Sequence, residues 1–142
     1  MPAAGVILDC PSHFDVLDFV QVVADHMGQV GGLDGDATHW LGVALRESVI
    51  NAIKHGNGED RSKRVVVECR LEPTAKPTEL VVRVLDQGAG FDPVDVADPL
   101  APENILKPSG RGIFFMRSLM DDLSLQRMPE GGMEVRMVKK LV

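Results

Sequence analysis

The chain is poor in aromatic residues, in cysteine and in long apolar runs. Aromatics make up 4% of its 142 residues, tyrosine is absent, and the two cysteines, Cys10 and Cys69, form no CxxC pair. The four histidines have no metal-binding spacing, so neither a disulfide scaffold nor a zinc site is expected. No apolar run approaches the roughly 20 residues of a membrane-spanning helix, and no leader pattern is present. We therefore expect a cytoplasmic protein with reduced thiols and no membrane contact.

Positive charge is also scarce. The chain has 15 Lys and Arg against 21 Asp and Glu, a formal net charge of −6, and it contains no basic run. Such an acidic chain is not expected to bind nucleic acid directly. Hydrophobic residues still make up 44% of the composition, which is enough for one globular core. We expect a single domain over residues 1–142.

Two helices are predicted in the first part of the chain, after a short apolar edge strand at 6–8. The first begins near Phe14, with Ser12 as its candidate N-cap, and stops at the glycines of 28–32. The second runs over about 34–55 and ends at Gly-Asn-Gly. Its apolar residues fall in one broad stripe, which consists of Leu41, Leu45, Val49, Ala52 and Ile53.

β-branched segments predict the strands. The segments 64–71 and 79–85 predict one hairpin, and 123–127 with 134–138 predict a closing hairpin. A helix is predicted from Ile113 to about 121. Because the helices are grouped rather than alternating with strands, we expect an α+β fold. It is a two-layer α/β sandwich with a mixed, mostly antiparallel sheet and helices on one face.

Segment 91–109 separates the two hairpins and contains four prolines. A connection of this length inside a compact domain is usually a functional lid or a disordered segment. We place a lid at approximately 92–109.

One polar pattern lies on the second predicted helix, opposite the apolar stripe. Glu47, Asn51 and Lys54 stand at i, i+4 and i+7, so they share one face. A carboxylate can accept a proton or orient a nucleophile, and an amide oxygen is a hard ligand that suits Mg²⁺. Taken alone, the pattern is typical of a solvated helix face.

Two glycine-rich segments carry the remaining chemistry. Asp86 ends an apolar strand and is followed by Gly88 and Gly90; the carboxylate can accept a hydrogen bond from an amine, and the glycines let a flat ligand approach. Further on, 110–112 opens a predicted helix, where free N–H groups can bind phosphate. Taken alone, the first segment is a tight turn and the second a flexible loop.

In combination, these features resemble the GHKL ATPase family, which includes the nucleotide-binding domains of gyrases, heat-shock chaperones, histidine kinases and MutL-type proteins. Segment 47–56 resembles the N box of that family, 86–91 its first glycine box and 110–116 its second. Within the family the chain is most similar to the bacterial anti-sigma factor serine kinases. Met120-Asp-Asp and the Pro-Glu-x-Gly of 129–132 strengthen that similarity.

The resemblance implies ATP and Mg²⁺ as cofactors and a role for each matched residue. Glu47 is the implied general base, Asn51 the implied Mg²⁺ ligand, and Asp86 the implied partner of the adenine amino group. The other implied nucleotide contacts are Lys54, Gly88, Gly90, Gly110, Arg111 and Gly112.

The resemblance also implies a homodimer that binds a sigma factor and phosphorylates a serine of a STAS-type anti-anti-sigma partner. Two alternatives stay open. One is a non-catalytic ATP-binding switch module, because Met133 and Pro108 stand where relatives carry Thr and a basic residue. The other is a detached histidine-kinase catalytic domain, although the segment before residue 34 is too short for a full dimerisation hairpin.

Overall fold

The structure, a computed structural model, describes residues 5–73, 75–88 and 119–141. Within these ranges, five strands form one sheet in the order β1-β2-β3-β5-β4, and two α-helices precede the second strand. None of the helices in the described ranges is both long and apolar enough to span a bilayer. The elements are β1 (Gly5–Pro11), α1 (Leu17–Val30), α2 (Gly35–Asn51), β2 (Arg64–Glu72), β3 (Glu79–Leu85), β4 (Asp122–Arg127) and β5 (Met133–Lys140).

The sheet confirms the expected α+β architecture. β1 pairs with β2, and β2 with β3, in antiparallel register, for example Val66 opposite Leu85. β5 then inserts between β3 and β4, again antiparallel. The described strands include no parallel pair. This topology brings the end of β3 beside the start of β5, in the interior of the sheet.

The core lies between one sheet face and the two helices. The predicted stripe of α2 is confirmed, since all five of its residues are at most 4% exposed. The helices approach each other closely where Gly28 contacts Thr38 and where Gly42 contacts Gln21. The strands contribute alternate buried residues to this core, including Val65, Val67, Cys69, Leu80, Val82, Val84, Val135 and Met137.

The opposite sheet face carries a charged network. Arg83 donates from Nε to Glu134 Oε1 over 2.8 Å and from Nη1 to Glu68 Oε2 over 3.5 Å. Arg70 adds a contact to Glu68, with 3.4 Å between Nη1 and Oε1. The hydrogen bond that Arg83 donates to Glu134, followed by the charges of both glutamates, raises the pKa of the Arg83 guanidinium. Arg83 therefore links β2, β3 and β5 across the sheet.

The N-cap predicted at Ser12 is wrong. The first helical segment is a 3₁₀ turn, Phe14–Val16, and His13 caps it by accepting a 3.1 Å hydrogen bond at Nδ1 from the Asp15 N–H. Ser12 is buried, and its hydroxyl donates to the Lys63 carbonyl over 2.7 Å. Tertiary structure thus uses this hydroxyl at the start of β2 rather than at a helix end.

The second helix also differs from the prediction at its end. The α-helix stops at Asn51 and continues as a π-helical segment, Ala52–Gly56, which we call the π turn. The N–H of Asn57 donates to the carbonyl of Ala52 over 2.8 Å, which closes this turn. Because a π turn is wider than an α turn, Lys54 does not keep the position that α-helical periodicity assigns to it.

Candidate functional site

The site is built around Asp86, which follows β3 directly and is buried. Its Oδ1 accepts hydrogen bonds from the backbone N–H of Met133 and of Gly88, each over 3.1 Å. Its own N–H donates to the Met133 carbonyl over 3.0 Å. No described residue donates to Oδ2. Within the described part of the chain, the backbone thus holds one carboxylate oxygen, and the other can accept a hydrogen bond from a ligand.

Burial raises the pKa of the Asp86 carboxyl, because the charged form loses hydration. The Met133 and Gly88 amides and the positive charge of Lys63 lower the pKa by smaller amounts. A carboxylate in such a desolvated position is a strong acceptor for an N–H group that enters with a ligand.

Three glycines from separate segments pack around this carboxylate. A Cβ at Gly56 would collide with the carboxylate of Asp86, and a Cβ at Gly132 would collide with the carbonyl of Asp86. A Cβ at Gly88 would collide with the carbonyl oxygen of Gly56. The π turn, the end of β3 and the start of β5 can therefore meet only where no side chain intervenes.

The end of α2 supplies a second polar group. Asn51 is only 6% exposed, yet no described residue forms a hydrogen bond with its side-chain amide. Glu47 lies one turn earlier and is half-buried. At this low exposure Asn51 is not part of a solvated helix face, and an amide oxygen suits a hard cation that takes one or two protein ligands. The described residues contain no cluster of three acidic, His or Cys groups for a metal.

Lys54, the cation predicted to share a helix face with Glu47 and Asn51, lies instead on the π turn. Lys54 is exposed on the π turn, and it makes no ion pair with any described residue. Among the described residues, the cation whose charge lowers the pKa of Asp86 is Lys63, just before β2, and no sequence pattern indicates it. The other predicted contacts, Gly90 and the glycine segment of Gly110, Arg111 and Gly112, lie outside the described residues, as does the lid at 92–109.

Sequence reasoning also missed the buried amide of Asn57. Its segment, Gly-Asn-Gly, predicts a helix stop, which is correct for the backbone. The side chain bridges three segments: Nδ2 donates to Ser12 Oγ over 2.7 Å and to the Arg64 carbonyl over 3.0 Å, and Oδ1 accepts from the Gln87 N–H over 2.8 Å. No local pattern indicates these contacts, because the partners are distant in sequence.

Comparison with known proteins agrees with this arrangement. The profile of the histidine kinase-like ATPase domain matches residues 14–139. The anti-sigma F factor of Bacillus subtilis is 34% identical over 101 residues, which cover 68% of this chain and 65% of that relative's length. The serine-protein kinase RsbW of Listeria monocytogenes is 26% identical over 127 residues, which cover 84% of this chain and 78% of that protein.

A solved structure shows the same fold. It contains the RsbU and RsbW domains of a Mycobacterium tuberculosis protein, and the match has a TM-score of 0.67 at 16% identity. The match covers 97% of this chain and 32% of that one. The resemblance predicted from the N box and the glycine boxes is confirmed by these matches. Since the profile spans most of its length, the chain belongs to the histidine kinase-like ATPase domain family.

Proposed function

We propose that the protein is an ATP-dependent serine kinase that binds a sigma factor and phosphorylates a STAS-type anti-anti-sigma partner. The observation that carries the proposal is the placement of Asn51, which is 6% exposed and whose side chain forms no hydrogen bond with any described residue, one helical turn after Glu47. Two relatives are named anti-sigma F factor and serine-protein kinase, which supports this choice of partner and acceptor.

Asp86 would recognise the base of ATP. Its Oδ2, which accepts no hydrogen bond from a described residue, would accept one from the adenine amino group. Gly88 would form the floor of the base pocket together with Gly90. The phosphates would lie toward Lys54 and toward the segment Gly110, Arg111 and Gly112, whose glycines permit close approach of the backbone.

Transfer would be carried out by Glu47 and Asn51. Glu47 would accept the proton of the partner's serine hydroxyl while that oxygen bonds to the γ-phosphorus and the bond to ADP breaks. Asn51 would hold Mg²⁺ through its amide oxygen. The ion, when bound, neutralises phosphate charge. Glu47 then provides the proton acceptor, and the helix fixes both side chains relative to each other.

Glu47→Gln tests this assignment. The variant should bind ATP with wild-type affinity in calorimetry, but it should transfer no labelled phosphate to a recombinant STAS-domain partner. Glu72→Gln, at the far end of β2, is the matched control and should transfer normally. Equal transfer by Glu47→Gln and wild type would contradict the role of Glu47.

The same assay separates the alternatives. Wild-type protein that binds ATP but yields no phosphoserine at any Mg²⁺ concentration would favour the non-catalytic switch module. Acid-labile phosphate on a histidine would favour the histidine-kinase reading. Acid-stable phosphoserine on the partner is the result that we expect.

We further propose that the protein acts as a homodimer in the cytoplasm. On α1, Val20 and Ala24 belong to the core, whereas Phe19 and Val22 are 65% and 67% exposed. Phe19 and Val22 lie three residues apart on the same helix, so they share one exposed face, and we assign this face to contact with a second copy. Val22→Asp should lower the mass measured by light scattering to that of a monomer, and an unchanged dimer mass would contradict the assignment.

A further inference from the structure

We infer that Asn57 is a positioning residue for base recognition, and that it acts on Asp86 through the backbone of Gln87. The inference rests on the proposed ATP site and adds a residue that makes no contact of its own with the base. Asn57 is 3% exposed and follows the π turn directly. Its amide crosses the ends of three neighbouring strands.

The three contacts of this side chain specify an amide. Nδ2 must donate twice, to the Ser12 hydroxyl oxygen and to the Arg64 carbonyl, while Oδ1 accepts from the Gln87 N–H. A carboxylate could accept from Gln87 but could not donate to either of the other two groups. A buried network of this kind is rigid when every member is satisfied.

Gln87 is the link between this network and the carboxylate. It is held twice: Asn57 binds its N–H over 2.8 Å, and its side-chain Oε1 accepts from the Arg64 N–H over 2.6 Å. Gln87 lies between Asp86 and Gly88 in the chain. A Cβ at Gly88 would also lie 3.0 Å from the Cα of Asn57, so Asn57 and the segment after β3 are in close contact.

The direction in which Asp86 presents Oδ2 therefore depends on Asn57. Asn57 forms no hydrogen bond with the Asp86 carboxylate; it fixes the backbone that carries it. Loss of the hydrogen bond between Asn57 and Gln87 leaves the Asp86 carboxylate chemically intact but less precisely oriented. Contacts to the phosphates should therefore persist, while discrimination between bases is lost. A residue with a purely structural role would weaken all nucleotides equally.

Binding of ATP and of inosine triphosphate separates these two roles, because inosine lacks the amino group that Asp86 would bind. Wild-type protein should favour ATP by about tenfold or more, as expected for a hydrogen bond to a charged group. Asn57→Ala should reduce this ratio of dissociation constants to within about twofold of unity, with a much smaller change in affinity for inosine triphosphate. Gln87→Ala, at an exposed position, removes the second tether and should reduce the ratio about threefold in a protein that folds normally.

Ser12→Ala is the matched control. It removes a buried hydrogen-bond partner of Asn57 but leaves the bond from Gln87 to Asn57, so it should lower stability while the ATP preference stays near that of wild type. The inference is overturned if Asn57→Ala and Gln87→Ala both keep the wild-type ratio, or if Ser12→Ala loses the preference to the same extent. The positioning role of Asn57 fails, while base recognition by Asp86 stands, if Asp86→Asn removes the ATP preference but Asn57→Ala and Gln87→Ala do not. If wild-type protein shows no preference, base recognition by Asp86 fails together with this inference.

Discussion

Asp86 and Met133 exchange two hydrogen bonds: the Met133 N–H donates to the Asp86 side-chain carboxylate over 3.1 Å, and the Asp86 N–H donates to the Met133 carbonyl over 3.0 Å. The position of the carboxylate thus depends on the main chain at residue 133. The methionine side chain itself is fully buried. The departure from the family's threonine at this position therefore concerns a side-chain hydroxyl and leaves the placement of Asp86 unchanged.

Gly132→Ala tests how tightly the start of β5 packs on Asp86. Gly132 has a φ of +91°, and an added Cβ would collide with the Asp86 carbonyl. Left-handed backbone strain of about 1–2 kcal/mol and overpacking of about 1–3 kcal/mol should together lower the free energy of unfolding by about 2–5 kcal/mol. Urea denaturation measures this loss.

Gly131→Ala is the control for backbone strain alone. Gly131 has a φ of +98°, but nothing lies within 4 Å of an added Cβ. Its substitution should cost only the left-handed strain, about 1–2 kcal/mol, and ATP affinity should be unaffected. Equal losses for the two variants would show that Gly132 does not pack against Asp86 as described.

Ser48→Ala should stabilise the protein. Ser48 is fully buried in α2, and its hydroxyl has no hydrogen-bond partner among the described residues. Removal of an unsatisfied buried hydroxyl is favourable by about 1 kcal/mol, and alanine is also the better helix former. Thermal denaturation should show a melting temperature a few degrees above that of wild type.

Ser12→Ala, also a serine-to-alanine change at a buried position, should destabilise the protein, in contrast to Ser48→Ala. Ser12 is equally buried, but its hydroxyl donates to Lys63 and accepts from Asn57. Its loss removes one acceptor from the buried Asn57 amide and one donor from the Lys63 carbonyl, and it should cost about 1–3 kcal/mol. A destabilised Ser48→Ala protein would mean that the Ser48 hydroxyl has a partner in solution.

Arg83→Gln should weaken the sheet. The side chains of Glu68 and Glu134 are only 16% and 13% exposed, and the variant would leave both without the guanidinium between them. We expect a loss of about 1–2 kcal/mol in the free energy of unfolding. The loss should shrink in high salt, because salt screens the repulsion between the two carboxylates.

Arg70→Gln is the comparison for this network. Its side chain is 57% exposed, and its contacts to Glu68 and Glu72 measure 3.4 and 3.9 Å. Exposed pairs of this kind contribute at most about 1 kcal/mol, so the variant should lie within about 0.5 kcal/mol of wild type. A larger effect at Arg70 than at Arg83 would contradict the described network.

The outline of the fold and the location of the carboxylate could be predicted from the sequence, because both depend on local patterns. The stripe of α2 follows helical periodicity, and Asp86 stands directly after an apolar strand. The π turn could not be predicted, since Gly56 ends it against the distant Asp86. Ser12 was assigned to the wrong partner for a similar reason. A serine hydroxyl can cap a helix or bind a remote carbonyl, and only the tertiary structure decides between them.

Asp86→Asn should change how stability depends on pH. Burial raises the folded-state pKa of Asp86 above its ordinary value of 3.8, so the folded chain holds a proton that the unfolded chain has released. Stability from this group is thus complete below pH 3.8 and is lost as pH rises through the higher folded-state value. Relative to Asp86→Asn, wild-type protein should lose stability over that window in urea denaturation at successive pH values. Asp60→Asn gives the opposite sign, because hydrogen bonds from Ser62 lower the pKa of that exposed carboxyl. Relative to Asp60→Asn, wild-type protein should lose stability as pH falls below 3.8. A wild-type curve parallel to that of Asp86→Asn would show that the Asp86 carboxyl is not desolvated.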